Sequence, residues 1–388
     1  MALLTRTPWA APALRHLVVP LTAWLAVAGC GGAPASGNAH FTTPVARASS
    51  ATSPTANSAT SPTTGSPAAS PSTAPPAVTG SYGVLAGPFT GANYSVALVG
   101  VDGKVVAGAQ ASNPVSPTCA GQAAGIAPYP LSTSDTHAYF MDAKGAVKMI
   151  GPNDTRVRAV YTLPIGPSTR SVFAVTPDGS KMAVAVIDYQ AGGAATRLFI
   201  DDLQPGGAKN EIFSESGSYT VWPVGWHAGN LVVARVPTCT AGGGPGCCGP
   251  QEYHVVDPAN AARRFVVGGS GCLPSGPPSP GGVLCETSAQ AVVFTWTSTR
   301  ARATALAGYS PAQISPDGSQ IAFESSTNTV LNPSNVAVRL TACGWIDDTH
   351  LLAGGDVQRQ PSVADTTTGK VVPAAAQGDC AGRIPGAL

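Results

Sequence analysis

From residue 82 onward the chain reads as short apolar runs of strand length, separated by turn residues. No segment of helical length carries a 3.6-residue apolar period. Tyr94-Ser-Val-Ala-Leu-Val-Gly-Val, then Asp102-Gly103, then Lys104-Val-Val-Ala predict a hairpin, because Asp-Gly adopts the positive φ values that a tight turn between strands requires. His137-Ala-Tyr-Phe-Met-Asp and Ala146-Val-Lys-Met-Ile, joined through Ala143-Lys-Gly, predict a second. Val157-Arg-Ala-Val-Tyr-Thr-Leu alternates apolar and polar at first, as a half-buried strand does. Ser171-Val-Phe-Ala-Val leads into a turn and then Lys181-Met-Ala-Val-Ala-Val-Ile-Asp. That last run is apolar on both faces and is expected to be covered on both.

The pattern repeats. Thr176-Pro-Asp-Gly-Ser-Lys-Met-Ala-Val is echoed 139 positions later by Ser315-Pro-Asp-Gly-Ser-Gln-Ile-Ala-Phe. In each, Pro presets φ, Asp bonds its own backbone and Gly closes the turn. Gly225-Trp-His-Ala-Gly-Asn-Leu-Val-Val-Ala is echoed by Gly344-Trp-Ile-Asp-Asp-Thr-His-Leu-Leu-Ala, with Trp226 and Trp345 119 positions apart. Three units of roughly 40–46 residues satisfy both displacements, the length of a four-stranded propeller blade. The first Trp unit carries about eleven extra residues at Thr238–Pro250, which predicts a loop inserted between two strands of one unit. With Leu198-Phe-Ile-Asp-Asp-Leu as a further strand, these motifs resemble the TolB-like and WD-repeat-like β-propellers. The resemblance implies an all-β propeller over residues 81–388. Seven blades divide that length best. Residues Thr327 to Leu340 depart from the pattern, leaving six or eight open.

The first thirty residues are of another kind. Arg6, Arg15 and His16 precede an apolar run, Leu17 to Ala28, that is too short to span a membrane. It ends in Val27-Ala28-Gly29-Cys30, which resembles the lipobox of bacterial lipoproteins. That resemblance implies a signal peptide over 1–29 and lipidation of Cys30. It also implies anchoring at the outer face of the cytoplasmic membrane. An ordinary secretory signal with an incidental cysteine is the alternative. Residues 30–80 are dominated by Ala, Ser, Thr, Pro and Gly, and Arg47 is their one formal charge. Such a segment buries too little to offset its chain entropy and is expected to be a disordered tether, with a reach of roughly 40 Å.

Net charge is +1 and only 11% of residues are charged, against about 25% in ordinary domains. No basic stripe suggests nucleic acid. Beyond Cys30 the cysteines form an even set of eight, Cys119, Cys239, Cys247, Cys248, Cys272, Cys285, Cys343 and Cys380, which in an exported chain favours disulfides. Cys272 with Cys285, closing a Pro- and Gly-rich loop, and Cys343 with Cys380 are the pairings the spacing suggests. Cys239, Cys247 and Cys248 would tie the inserted loop. Zinc fits poorly, since no C-x-x-C pair occurs.

Candidate chemistry is sparse. No nucleophile elbow, P-loop or dinucleotide fingerprint is present. The adjacent pairs Asp201-Asp202 and Asp347-Asp348 would diverge on a strand, and His137, His227, His254 and His350 are scattered. No cofactor or metal is expected. Tyr219, Trp222, Trp226 and His227 form the densest aromatic cluster and are the candidate ligand-binding residues, with blade-to-blade packing as the alternative. The expected function is a non-catalytic binding or scaffold module for an envelope protein, peptide or glycan. A cell-envelope glycan- or peptide-processing enzyme using the propeller channel is the alternative. Cys30→Ser is expected to release the protein from the membrane or leave it unprocessed in a fractionation and mass measurement; a mature-size, membrane-bound mutant would refute the lipobox.

Overall fold

The computed structural model describes residues 80–388, apart from 118–125, 191–192, 205–206, 240–248, 270–271, 288, 306–308, 326–327, 335 and 356–358. The signal peptide, Cys30, the tether up to residue 79, and Cys119, Cys247 and Cys248 lie outside the described residues. Within them every regular element is a strand, and the strands make seven four-stranded antiparallel sheets, the blades of a seven-bladed β-propeller.

The strands follow one another from axis to rim. β1 (Tyr82–Gly87), β2 (Asn93–Gly100) and β3 (Val105–Ser112) are the outer strands of the closing blade. The second blade is β4 (Leu131–Thr133), β5 (Ala138–Met141), β6 (Ala146–Ile150) and β7 (Arg158–Thr162). The third is β8 (Thr169–Val175), β9 (Lys181–Gln190), β10 (Gly193–Asp202) and β11 (Lys209–Gly217). The fourth is β12 (Tyr219–His227), β13 (Asn230–Pro237), β14 (Glu252–Val256) and β15 (Arg263–Gly268). The fifth is β16 (Leu273–Ser279), β17 (Gly282–Glu286), β18 (Gln290–Phe294) and β19 (Arg300–Ala305). The sixth is β20 (Tyr309–Ile314), β21 (Ile321–Ser325), β22 (Asn328–Asn332) and β23 (Ala337–Val338). The seventh is β24 (Gly344–Trp345), β25 (His350–Ala353), β26 (Ser362–Asp365) and β27 (Val371–Pro373). Finally β28 (Asp379–Ile384) pairs with β1 and becomes the innermost strand of the closing blade.

The repeats found in the sequence mark equivalent places three blades apart. The two Pro-Asp-Gly turns join β8 to β9 and β20 to β21. In both, the glycine N–H donates to the residue three before it at 2.9 Å, and Gly179 and Gly318 hold φ of 72° and 75°. The inserted loop joins β13 to β14. The unit after Ser315 is faint because its outermost strand is short, β23 having two residues. The doubly apolar run is β9, buried from Met182 to Ile187 between neighbouring blades. The core lies in such clusters between adjacent sheets.

One expectation changes. The stretch after Cys272 is the strand β16, not a loop, and it forms a hairpin with β17 that sets Pro274 opposite Cys285. Cys272 and Cys285 are free thiols, hydrogen-bonded to one another, with Cys285 fully buried. Burial pushes the Cys285 thiol well above the usual thiol range. The Cys343–Cys380 disulfide is formed across 37 residues and ties the start of the seventh blade to β28. Cys239 is disulfide-bonded, with its partner outside the described residues.

Replacing both Cys343 and Cys380 by Ser removes a bridge that the chain-entropy model values at about 4 kcal/mol for a loop of this length. The double mutant is expected to melt roughly 5–10 °C lower in a non-reducing thermal scan, and a reductant, which also opens the Cys239 bridge, should bring the wild type down at least as far.

Candidate functional site

An innermost strand of a blade has one neighbour, so half of its backbone groups face the axis unpaired. Such edges accept proline, which no ladder excludes there. The sequence uses this freedom at Pro223 of β12 and at Pro277 and Pro278 of β16, and Pro128 ahead of β4 and Pro316 in the turn after β20 add to the lining of the axis. Leu131, Val172, Phe173, Val224, Ile314, Trp345 and Ala381 add apolar surface. Together they enclose a cavity of about 320 Å³ running along the channel. Proline replaces exposed N–H donors by ring carbons, so the wall is apolar although it is made of strand edges. Val224 faces the cavity because it is the unpaired residue of a β-bulge between Pro223 and Gly225, and a bulge re-aims a side chain.

The two ends of the channel differ. Where the innermost strands begin, Tyr129 stacks on Phe89 with ring centroids 4.7 Å apart and donates its hydroxyl to Asp379 Oδ2 at 3.3 Å. Where the strands finish, Arg383 and Leu388 line the cavity. The Arg383 Nη2 donates to Ala387 O at 3.1 Å. Burial pulls this guanidinium below its ordinary value, while the carboxylates of Asp348, Asp135 and Asp347 act the other way.

Those carboxylates belong to the turns that leave the innermost strands; Asp347, like Asp178 in the third blade, builds its own turn, whereas Asp348 and Asp135 accept backbone N–H groups from other segments. Asp178 Oδ1 accepts from Ser180 N at 3.0 Å and from the Thr176 hydroxyl at 2.6 Å. Asp347 Oδ1 accepts from the backbone N–H groups of Thr349 and His350, each at 2.8 Å. Asp348 Oδ1 accepts from Asp317 N at 2.8 Å and so links two blades. Of the pair Asp201-Asp202, Asp201 accepts the Tyr161 hydroxyl at 2.6 Å, and Asp202 faces Lys181 at 3.5 Å. No group of three or more His, Cys, Asp or Glu suited to a metal ion occurs among the described residues.

The four aromatic candidates lie along β12 and do not converge. From Tyr219 to His227 is eight steps of strand, roughly 26 Å, so the two residues sit at opposite ends of the channel. Tyr219 is 39% exposed, with the Arg235 guanidinium 3.7 Å from its ring centroid, opposite Pro237 on β13. Arg235 in turn meets Glu252 at 3.2 Å. Trp222 is buried between blades. Trp226 is buried too, and its indole N–H donates to Ala174 O of the third blade at 3.1 Å. His227 is half-buried and its Nδ1 lies 2.6 Å from Leu388 O. The other histidines stay apart: His137 contacts Thr136 Oγ1 at 2.8 Å, His254 lies buried beside Glu252, and His350 contacts Asp347. The channel lining was not legible residue by residue, but prolines inside strand-length runs, such as Leu273-Pro-Ser-Gly-Pro-Pro-Ser, are a signal of inner-edge strands.

No protein-family model and no curated protein matches the chain. Among solved structures it is similar to an oligogalacturonate lyase in complex with manganese, at 11% identity and a TM-score of 0.46, over 70% of this chain and 81% of that one. It is similar to prolyl oligopeptidase B from Galerina marginata at 10% identity and a TM-score of 0.39, over 74% of this chain; the chain spans 47% of that enzyme's length. It is similar to BamB from Moraxella catarrhalis at 14% identity and a TM-score of 0.35, over 78% of this chain and 84% of that one. The likeness is one of fold and says nothing of activity.

Trp226→Ala is expected to cost about 3–5 kcal/mol of stability by emptying the interface with the third blade, whereas Tyr219→Ala should stay within about 0.5 kcal/mol. Paired melting curves check this; equal losses would place Tyr219 in the core as well.

Proposed function

We propose that the protein is a lipid-anchored, extracytoplasmic binding module of the TolB-like and WD-repeat-like kind. Its axial channel takes an extended peptide segment of a cell-envelope partner and does not transform it. One observation carries this reading: seven strand edges surround an apolar, proline-walled cavity of about 320 Å³. Unpaired main-chain groups on a strand edge give affinity for an extended peptide, and apolar pockets between them select its side chains. The carboxylates near the channel support binding rather than catalysis, since they accept backbone N–H groups that fix turns and join segments. The Ala-, Ser-, Thr- and Pro-rich tether ahead of the propeller suits a module held off the membrane on Cys30.

The test is in-cell cross-linking of the lipidated protein, affinity purification and mass spectrometry, with two variants alongside. Val224→Trp fills the channel from a bulge position, and a deletion of 238–250 removes the inserted loop. A partner captured by the wild type and lost with Val224→Trp is the expected result. A partner retained by Val224→Trp and lost with the loop deletion would refute the channel as the site.

A further inference from the structure

Beyond β28 the chain crosses the end of the channel. Residues 385–388, Pro-Gly-Ala-Leu, reach from the closing blade to the fourth blade, three places around the ring. Gly386 N–H donates to Ser134 O at 3.0 Å, and Ala387 N–H donates to Asp135 Oδ1 at 3.2 Å. Leu388 N–H donates to Trp226 O on the edge of β12 at 2.9 Å. Leu388 O lies 2.6 Å from His227 Nδ1, which must be the donor because a main-chain oxygen only accepts.

The Leu388 side chain rests on Gly225 and on the core cluster that runs from the third to the fifth blade, half-buried. A Cβ at position 225 would stand 2.5 Å from Leu388 Cδ1, so the leucine side chain lies this close because residue 225 is glycine, and a larger residue would make it shift. Gly225 has no positive φ that would demand glycine. Close approach of Leu388 is what its missing side chain serves.

These contacts have the form of peptide recognition. Most go through main-chain atoms of the bound segment, and the fourth blade takes Leu388 at a strand edge. One side chain fills one apolar hollow. When the segment lifts away, Ser134 O, Asp135, Trp226 O and His227 Nδ1 are freed together, and another extended peptide can satisfy them in the same way. We propose that residues 385–388 are an internal pseudo-ligand. They occupy a subsite formed by Ser134, Asp135, Gly225, Trp226 and His227, and they are displaced by a partner peptide that sets an aliphatic side chain over Gly225. The proposal rests on the reading of the channel as a peptide site, and it adds the side-chain preference and the regulation of that site.

The probe is the fluorescein-labelled peptide Ile-Pro-Gly-Ala-Leu, followed by fluorescence anisotropy on the full-length protein. Leu388→Asp removes the aliphatic occupant and is expected to bind the probe about tenfold or more tightly than wild type. A probe ending in Asp should bind neither. Gly225→Ala crowds Leu388 from the other side. It should speed amide hydrogen exchange at Ala387 and Leu388, and combined with Leu388→Asp it should abolish probe binding. Two results overturn the proposal: a folded Leu388→Asp that binds the probe no better than wild type, or unchanged exchange in Gly225→Ala, which is readable even where Leu388→Asp does not fold. If the probe fails while Val224→Trp still loses the cellular partner, the pseudo-ligand falls and the channel site stands; if both fail, both fall.

Discussion

The ring exists because its last strand pairs with its first. β28 lies against β1 from Tyr82 opposite Ile384 to Ala86 opposite Asp379. Until this pairing forms, β1 and the inner side of the closing blade are open edges, and the seventh blade has one apolar face uncovered. The Leu85, Val99, Ile346, Leu352 and Val363 cluster spans that junction and is complete only when the ring is closed. The entropy of joining such distant segments is large but grows slowly with length. The Cys343–Cys380 disulfide anchors β28 beside the seventh blade, and a main-chain bridge between Gly355 and Gly378 reinforces the same seam. All other blades are local antiparallel meanders, so the long-range problem of the fold is concentrated at one place.

Closure also creates the site. Seven strands that would be exposed edges in open sheets are turned inward, where they face one another across the axis. An edge turned inward can no longer recruit another chain freely, yet it keeps its unpaired backbone groups. Proline along several of these edges trims the donors and leaves carbon. The outcome is a channel that combines an apolar wall with a few main-chain bonding points, and residues 385–388 use several of them.

The polar residues that look chemical in the sequence have been absorbed by geometry. Asp178, Asp317 and Asp347 bond backbone N–H groups within their own turns, which holds the turns that launch each second strand. Trp226 joins one blade to the next through its indole N–H, so an aromatic cluster in sequence becomes a structural seam, with only Tyr219 reaching solvent at one end and His227 meeting Leu388 at the other.

The sequence alone determined the strand content, the turn chemistry and the repeat. Those are local matters: Pro-Asp-Gly closes the same turn wherever it occurs, and the 119- and 139-residue displacements mark places three blades apart. The insertion between β13 and β14 was legible too, since it follows from comparing one repeat with another, whereas spacing alone suggested two cysteine pairings of which only Cys343 with Cys380 is formed. Tertiary structure decided the blade count, because the short strands of the sixth and seventh blades carry too little periodic signal to be counted. It decided that Leu273–Ser279 is a strand, since proline is tolerated only where the inner edge has no partner. It separated Tyr219 from His227 by the length of a strand, and it brought Gly225 beneath Leu388. Residues 163 positions apart meet there because the ring closes, and no local rule of spacing contains that contact.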